Sequence, residues 1–133
     1  MYISLWPVFL AALAVFIIGW VWYSPRVFGA AWMRMSGVTP EAAERGKKRM
    51  GVSIIFGFLS ALLMAWVMGY VLAAFDVFDW IGAVEVAFWM WAGFVATVLI
   101  GSVLWEQKPV KLYVLNAAYW LVSLVVMSIV LAL

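Results

Sequence analysis

Apolar residues fall into four long runs that are almost free of charge. The runs span about residues 2–23, 51–75, 80–105 and 110–133. Each is long enough to cross a hydrocarbon core about 30 Å thick, which takes about 20 residues of α-helix. Membrane barrel strands are about 10 residues long and alternate polar with apolar residues, whereas these runs are continuously apolar. The pattern predicts an all-α polytopic membrane protein with four transmembrane helices in a single domain, residues 1–133.

Composition supports the membrane class. Hydrophobic residues make up 70% of the chain and charged residues 11%, whereas about a quarter of the residues in soluble domains are charged. The first run has no basic segment before it and exceeds the apolar core of about 7–15 residues found in signal peptides. We therefore expect it to be an uncleaved transmembrane helix.

The basic residues lie in, or directly beside, only two of the three connections between runs. Six Lys and Arg follow the first run and two follow the third, while the connection 76–79 has none. Because Lys and Arg are enriched in cytoplasmic loops, we expect both termini outside the bacterial inner membrane. The two short connections also predict that spans two and three, and spans three and four, are antiparallel neighbours.

The long first connection contains the start signal of a short interfacial helix. Ser24 is a candidate N-cap and Pro25 suits the first helical position. Phe28, Trp32 and Met35 then recur at helical spacing. This pattern is typical of an amphipathic helix on the membrane surface.

A second short helix is predicted from the Thr-Pro-Glu sequence at residues 39–41, where the acidic residue suits the helix dipole. Gly46 is expected to interrupt it before the basic residues 47–49. At the shorter connections, Asp79 is expected to cap the third span and Pro109 to open the fourth.

The second run carries a small residue at every fourth position. In lipid, helices associate by close backbone packing, and small residues permit it. Packing within the monomer and an oligomer seam both remain open, and the rotation of the ladder around the helix predicts contacts with two different helices. The candidate packing residues are Ser53, Gly57, Ala61, Ala65, Gly69 and Ala73.

Glu85 is the one ionisable residue well inside a run, and such residues are functional candidates because they are costly in lipid. It lies close to the outer boundary, so an interfacial structural carboxylate and a carboxylate lining a polar cavity are both open.

Other candidates for a polar or ligand site lie on the second, third and fourth runs. Asn116 and Tyr119 share one helix face with Ser123, which favours interhelical hydrogen bonds over a ligand site. Four tryptophans lie away from the predicted interfaces, where they either line a pocket for a flat or apolar ligand or face lipid and neighbouring helices. These are Trp66, Trp89, Trp91 and Trp120.

Several kinds of chemistry have no support in the sequence. The chain contains neither His nor Cys, which removes the commonest general base, the commonest metal ligand and the thiolate nucleophile. No carboxylate pair or nucleophile with a base is evident. The sequence therefore predicts a protein that is not an enzyme and has no metal or cofactor. The basic residues are assigned to topology, not to nucleic-acid binding.

One motif resembles the signature of a family of small bacterial membrane proteins known only as a domain of unknown function. The motif residues are Trp22, Tyr23, Ser24, Pro25, Phe28, Gly29 and Trp32. A further similarity lies around the last helix, at Glu106, Pro109, Asn116 and Tyr119. The resemblance implies a four-helix membrane protein and supplies no activity. Small multidrug transporters also have four helices, but their essential Glu lies in the first span, which is uncharged here.

Two functions are compatible with these features. The first is an interaction protein that contacts membrane lipids and other transmembrane helices, either as a homo-oligomer or as an accessory subunit. The second is a small transporter or channel for a small or apolar molecule, with Glu85 and the four tryptophans as its site.

Overall fold

The structure is a computed structural model that describes residues 3–133 and contains only helices over that part of the chain. Four helical stretches are long and apolar enough to cross a membrane, which confirms the predicted fold class. They are Leu5–Trp22, Met50–Ala74, Trp80–Leu104 and Val110–Ala132.

The helices are labelled in chain order. Helix α1 is Leu5–Trp22, α2 is Gly29–Ser36, α3 is Pro40–Lys48 and α4 is Met50–Ala74. The third span begins with α5, Trp80–Met90, continues through a π-helical segment, Trp91–Ala96, and ends with α6, Thr97–Leu99, and α7, Gly101–Leu104. Helix α8 is Val110–Ala132.

Helix α8 is the centre of the bundle. It packs against α1, α4 and α5, and α1 also packs along α4. The prediction that α8 neighbours the third span is confirmed. The prediction that spans two and three are neighbours is wrong, because α4 and α5 scarcely contact each other beyond their connection. Asp76 adopts a left-handed φ of 55° in the turn after α4.

Two contacts show which chain segments share an end of the bundle. Lys108, between the third and fourth spans, donates to the backbone carbonyl of Ser36 at 3.0 Å, so both basic connections lie together. At the opposite end, a Cβ added at Gly69 would lie 3.1 Å from Ile3 and 3.9 Å from Leu131. We call these the basic end and the acidic end, since the latter carries Asp76 and Asp79.

The predicted helix start at Ser24 and Pro25 is wrong. Helix α2 begins at Gly29, and Phe28 occupies its N-cap position. The Ser24 hydroxyl donates backwards to the carbonyl of Val21 at 2.8 Å, so it completes the end of α1 and does not cap a new helix. The chain turns sharply between α1 and α2.

The second surface helix follows the prediction at its start and departs from it at Gly46. The Thr39 hydroxyl accepts a hydrogen bond from the Ala42 amide at 3.1 Å, as expected of an N-cap. Gly46 is exposed and lies within α3, so the predicted interruption is wrong. A helix tolerates a glycine at a cost of about 1 kcal/mol, and the break instead falls at Arg49.

Candidate functional site

The turn between α1 and α2 is built from backbone and side-chain hydrogen bonds within the motif. The Ser24 carbonyl accepts from the amides of Val27 at 3.0 Å and Gly29 at 2.9 Å. The Trp22 carbonyl accepts from the Phe28 amide at 3.1 Å. These bonds satisfy carbonyls that would otherwise be orphaned at the end of α1.

Gly29 makes the tightest approach in this turn. A Cβ at this position would lie 2.8 Å from the backbone carbon and oxygen of Ser24 and still closer to the Tyr23 carbonyl. No side chain fits there without moving the main chain. The motif glycine is therefore explained by a close backbone approach.

Tyr23 ties the turn to the central helix. Its hydroxyl donates to the side-chain oxygen of Asn116 at 2.7 Å. The Tyr23 ring lies edge-on to Tyr119, with centroids 5.2 Å apart, and to Trp32 at 6.2 Å. The structure thus brings together the motif and two polar residues predicted on the last span.

Tyr119 lies at the centre of this aromatic cluster. Its ring contacts Trp22 at 6.1 Å and Trp120 at 4.9 Å between centroids. The Tyr119 hydroxyl donates to the Val15 carbonyl of α1 at 3.4 Å. A Cβ added at Gly19 would lie 2.8 Å from the Tyr119 hydroxyl oxygen. Gly19 therefore provides the space for this crossing.

A groove of about 720 Å³ opens beside the cluster, between α1, α4 and α8. We call it the basic-end groove, since its lining includes residues of the motif turn and the first residue of α4. The lining residues are Val15, Phe16, Gly19, Trp20, Tyr23, Ser24, Pro25, Met50, Ser53, Ile54, Gly57, Ser60, Ala61, Met64, Tyr119 and Trp120.

Most hydroxyl groups of the groove are already bonded within the protein. Besides Tyr23, Tyr119 and Ser24, whose hydrogen bonds are given above, the Ser60 hydroxyl donates to the Phe56 carbonyl at 2.9 Å. No lining residue carries a formal charge. The groove therefore presents a largely apolar surface with few free donors, which suits hydrocarbon and does not suit a strongly polar solute.

The structure divides the small-residue ladder of α4. Ala61, Ala65 and Gly69 are buried against the bundle and Ala73 is half-buried, while Ser53 and Gly57 are exposed. A Cβ at Gly57 would meet only a ring carbon of Phe16, at 4.0 Å. Toward the basic end, the ladder thus leaves the helix seam and lines the groove.

Glu85 and the four tryptophans do not form one pocket. Glu85 is exposed, with Trp89 one turn further along α5 and 61% exposed. Trp66 is also exposed and lies beside Tyr70 on α4, at 5.6 Å between ring centroids. Of this set, Trp120 alone lines the basic-end groove.

Trp91 has a different place, next to the π-helical segment. Its indole Nε1 donates to the Ala117 carbonyl of α8 at 2.8 Å, and the Tyr113 hydroxyl donates to the Ala96 carbonyl at 3.0 Å. These two bonds join α8 to the two ends of the widened turn. Sequence reasoning missed this segment, because neither a proline nor a charge marks it; the glycine at position 93 was the only local signal.

A second, apolar cavity of about 400 Å³ lies between Trp22, Phe28 and the start of α8. The Trp22 Nε1 atom is buried and has no hydrogen-bond partner within residues 3–133. The same part of the chain brings no three Asp or Glu side chains together as a metal site.

Comparison with known proteins places the chain in a family. A family model described as "Protein of unknown function (DUF1761)" matches residues 6–132. The chain belongs to this family. No curated protein and no solved structure gives a significant match. Membership in DUF1761 agrees with the expected family of unknown function, and it supplies no activity.

Proposed function

We propose that this DUF1761 protein is a non-catalytic membrane protein that holds an apolar or amphipathic molecule in the basic-end groove. The observation that carries the proposal is the groove itself, whose hydroxyls are largely bonded internally and whose lining bears no charge. Its volume lies within the range of about 300–1,000 Å³ typical of ligand sites.

The proposed setting is the bacterial inner membrane, with the basic end in the cytoplasm and both termini outside. The support is the gathering of basic connections at one end of the bundle, seen in the Lys108 to Ser36 hydrogen bond, together with the preference of Lys and Arg for the cytoplasmic side. In this orientation, the groove opens into the cytoplasmic leaflet.

The proposal is tested by measuring the lipids and other apolar molecules that remain bound after purification in mild detergent. Gly57→Leu places a side chain in the groove from its α4 wall. The control, Gly51→Leu, makes the same change on the same helix. A Cβ added at Gly51 would have no atom within 4 Å, and Gly51 does not line the groove. We expect about one bound molecule per chain in the unmodified protein and Gly51→Leu, and none in Gly57→Leu. Equal retention in all three would contradict the proposal.

The second candidate function is that of an interaction protein, either a homo-oligomer or an accessory subunit of a membrane assembly. The supporting observation is that Ser53 and Gly57 continue the small-residue ladder on an exposed surface, where a partner helix can approach closely. Because the chain has no Cys, single-cysteine variants test self-association cleanly. Crosslinking through Ser53→Cys but not through the neighbouring exposed Val52→Cys supports a homo-oligomer seam at the groove; equal crosslinking, or none, counts against it.

A transport function based on Glu85 has less support, since Glu85 is exposed on α5 and does not line the groove. Glu85→Gln keeps nearly the same shape and removes the charge. We expect it to leave ligand retention unchanged. Loss of a proton-coupled flux in reconstituted vesicles, with normal expression, would favour the Glu85 transporter instead.

A further inference from the structure

The groove meets the membrane surface beside two arginines, and this position bears on what it binds. We infer that the bound molecule is an anionic phospholipid, with one acyl chain along α4 and its headgroup held by Arg26 and Arg49. This inference rests on the proposed function and names its ligand class.

The length of the groove fits an acyl chain. Its α4 wall runs from Met50 to Met64, which is about 21 Å at 1.5 Å per helical residue. One leaflet of a bilayer, counted with its headgroup layer, is about 20–22 Å thick. The groove thus reaches from the surface of one leaflet to the middle of the bilayer, as one lipid chain does.

The charge at the mouth fits an anionic headgroup. Arg26 directly follows the lining residue Pro25, and Arg49 directly precedes the lining residue Met50, so each arginine Cα lies about 3.8 Å from that of a lining residue. Both side chains are exposed. Within residues 3–133, the ion pair found joins Lys47 to Glu44 at 3.5 Å, which leaves both arginines available.

The acidic residues nearby are too few to neutralise this end. Residues 24–50 carry six Lys and Arg against two Glu, and one of these two is Glu44, which is paired with Lys47. None of the acidic residues lines the groove. The potential at the mouth is therefore positive and favours a phosphate group.

Headgroup charge must supply the selectivity. A lipid chain that moves from the bilayer into the groove gains little from the hydrophobic effect, because both surroundings are apolar. The acyl chain contributes packing alone, whereas guanidinium groups form strong charge-assisted hydrogen bonds to phosphate oxygens. Two lipids with the same chains should thus bind according to their headgroups.

The test uses the full chain in vesicles with equal amounts of phosphatidylglycerol and phosphatidylcholine that carry the same acyl chains. Native mass spectrometry then measures which lipid stays bound to the protein. The double variant Arg26→Gln with Arg49→Gln removes both mouth arginines. The matched control, Arg34→Gln with Arg45→Gln, removes the same charge from the same connection at positions that do not adjoin the lining.

We expect the unmodified protein and the control to retain mainly phosphatidylglycerol. The Arg26 and Arg49 variant should lose that preference by about 25-fold, which is about fivefold for each basic residue near the membrane surface. Gly57→Leu should retain neither lipid, because the added side chain occupies the acyl-chain position in the groove while both arginines stay in place.

Each other result has a definite meaning. Bound lipid without a headgroup preference, or an equal loss of preference in both double variants, overturns the assignment to Arg26 and Arg49 and leaves the proposed function standing. No bound lipid in the unmodified protein overturns this inference, and the retention of some other apolar molecule would preserve the broader function. If a second copy of the chain covers the groove, both the lipid inference and the proposed ligand-holding function are wrong.

Discussion

The hydroxyl of Tyr23 donates a hydrogen bond to the side-chain oxygen of Asn116 at 2.7 Å, and so links the end of α1 to the central helix. The two residues are 93 positions apart in the chain. This bond fixes the motif turn on the wall of the bundle, where Tyr23, Ser24 and Pro25 line the groove.

A double-mutant cycle measures this link. Tyr23→Phe and Asn116→Leu each remove one partner, and the combined variant removes both. We expect a coupling free energy of about 0.6–1.7 kcal/mol, the size of interhelical hydrogen bonds in membranes, from unfolding in mixed micelles. Additive losses in the two single variants would show that the bond adds no stability.

The close approach at Gly29 predicts a strong effect of a small change. Gly29→Ala places a Cβ against the backbone of Tyr23 and Ser24, and we expect it to lower the free energy of unfolding by about 1–3 kcal/mol. Gly46→Ala is the matched control, because Gly46 has open space around it and alanine favours helices. A melting temperature for Gly29→Ala equal to that of Gly46→Ala would contradict the described turn.

The two ends of the α4 ladder should respond differently to the same substitution. Gly69→Leu drives a side chain into Ile3 and Leu131, so its melting temperature should fall, with a loss of about 1–3 kcal/mol. Gly57→Leu enters the groove and should leave the melting temperature nearly unchanged. The reverse order of stability would mean that α4 is rotated relative to the structure.

The Lys108 hydrogen bond to Ser36 predicts that the second basic connection stabilises α2 in the first. The Lys108 ammonium group lies at the C-terminus of α2, where a positive charge stabilises the helix by about 0.3–1 kcal/mol. Lys108→Met should speed amide hydrogen exchange in residues 29–36 by about two- to fivefold. Lys111→Met removes the same charge three residues on, and equal exchange in the two variants would argue against the specific bond.

Much of the fold follows from local pattern. The four apolar runs place the spanning helices within a few residues of their ends, and Thr39 marks the start of α3 as expected of a helix cap. These features depend on residues close together in the chain. They need no knowledge of the packed bundle.

The groove and the π-helical segment could not be predicted from the sequence, because both depend on how the helices pack. A ladder of small residues does not reveal where its helix leaves a neighbour, so Gly57 and Gly69 read alike although one is exposed and one is buried. Tyr23 reads as an interfacial aromatic until Asn116 is known to lie beside it. The widened turn in the third span is held by Trp91 and Tyr113, whose partners lie on another helix.

The proposed function depends most on occupancy of the basic-end groove by lipid. The direct measurement is photocrosslinking in vesicles with a phospholipid that carries a photoactivatable group on its acyl chain, followed by peptide mapping. We expect adducts concentrated on α4 between Met50 and Met64 and on Trp120, and we expect these adducts to be lost in Gly57→Leu. Adducts spread evenly over exposed residues such as Trp89, Phe94 and Val98, and unchanged in Gly57→Leu, would contradict it.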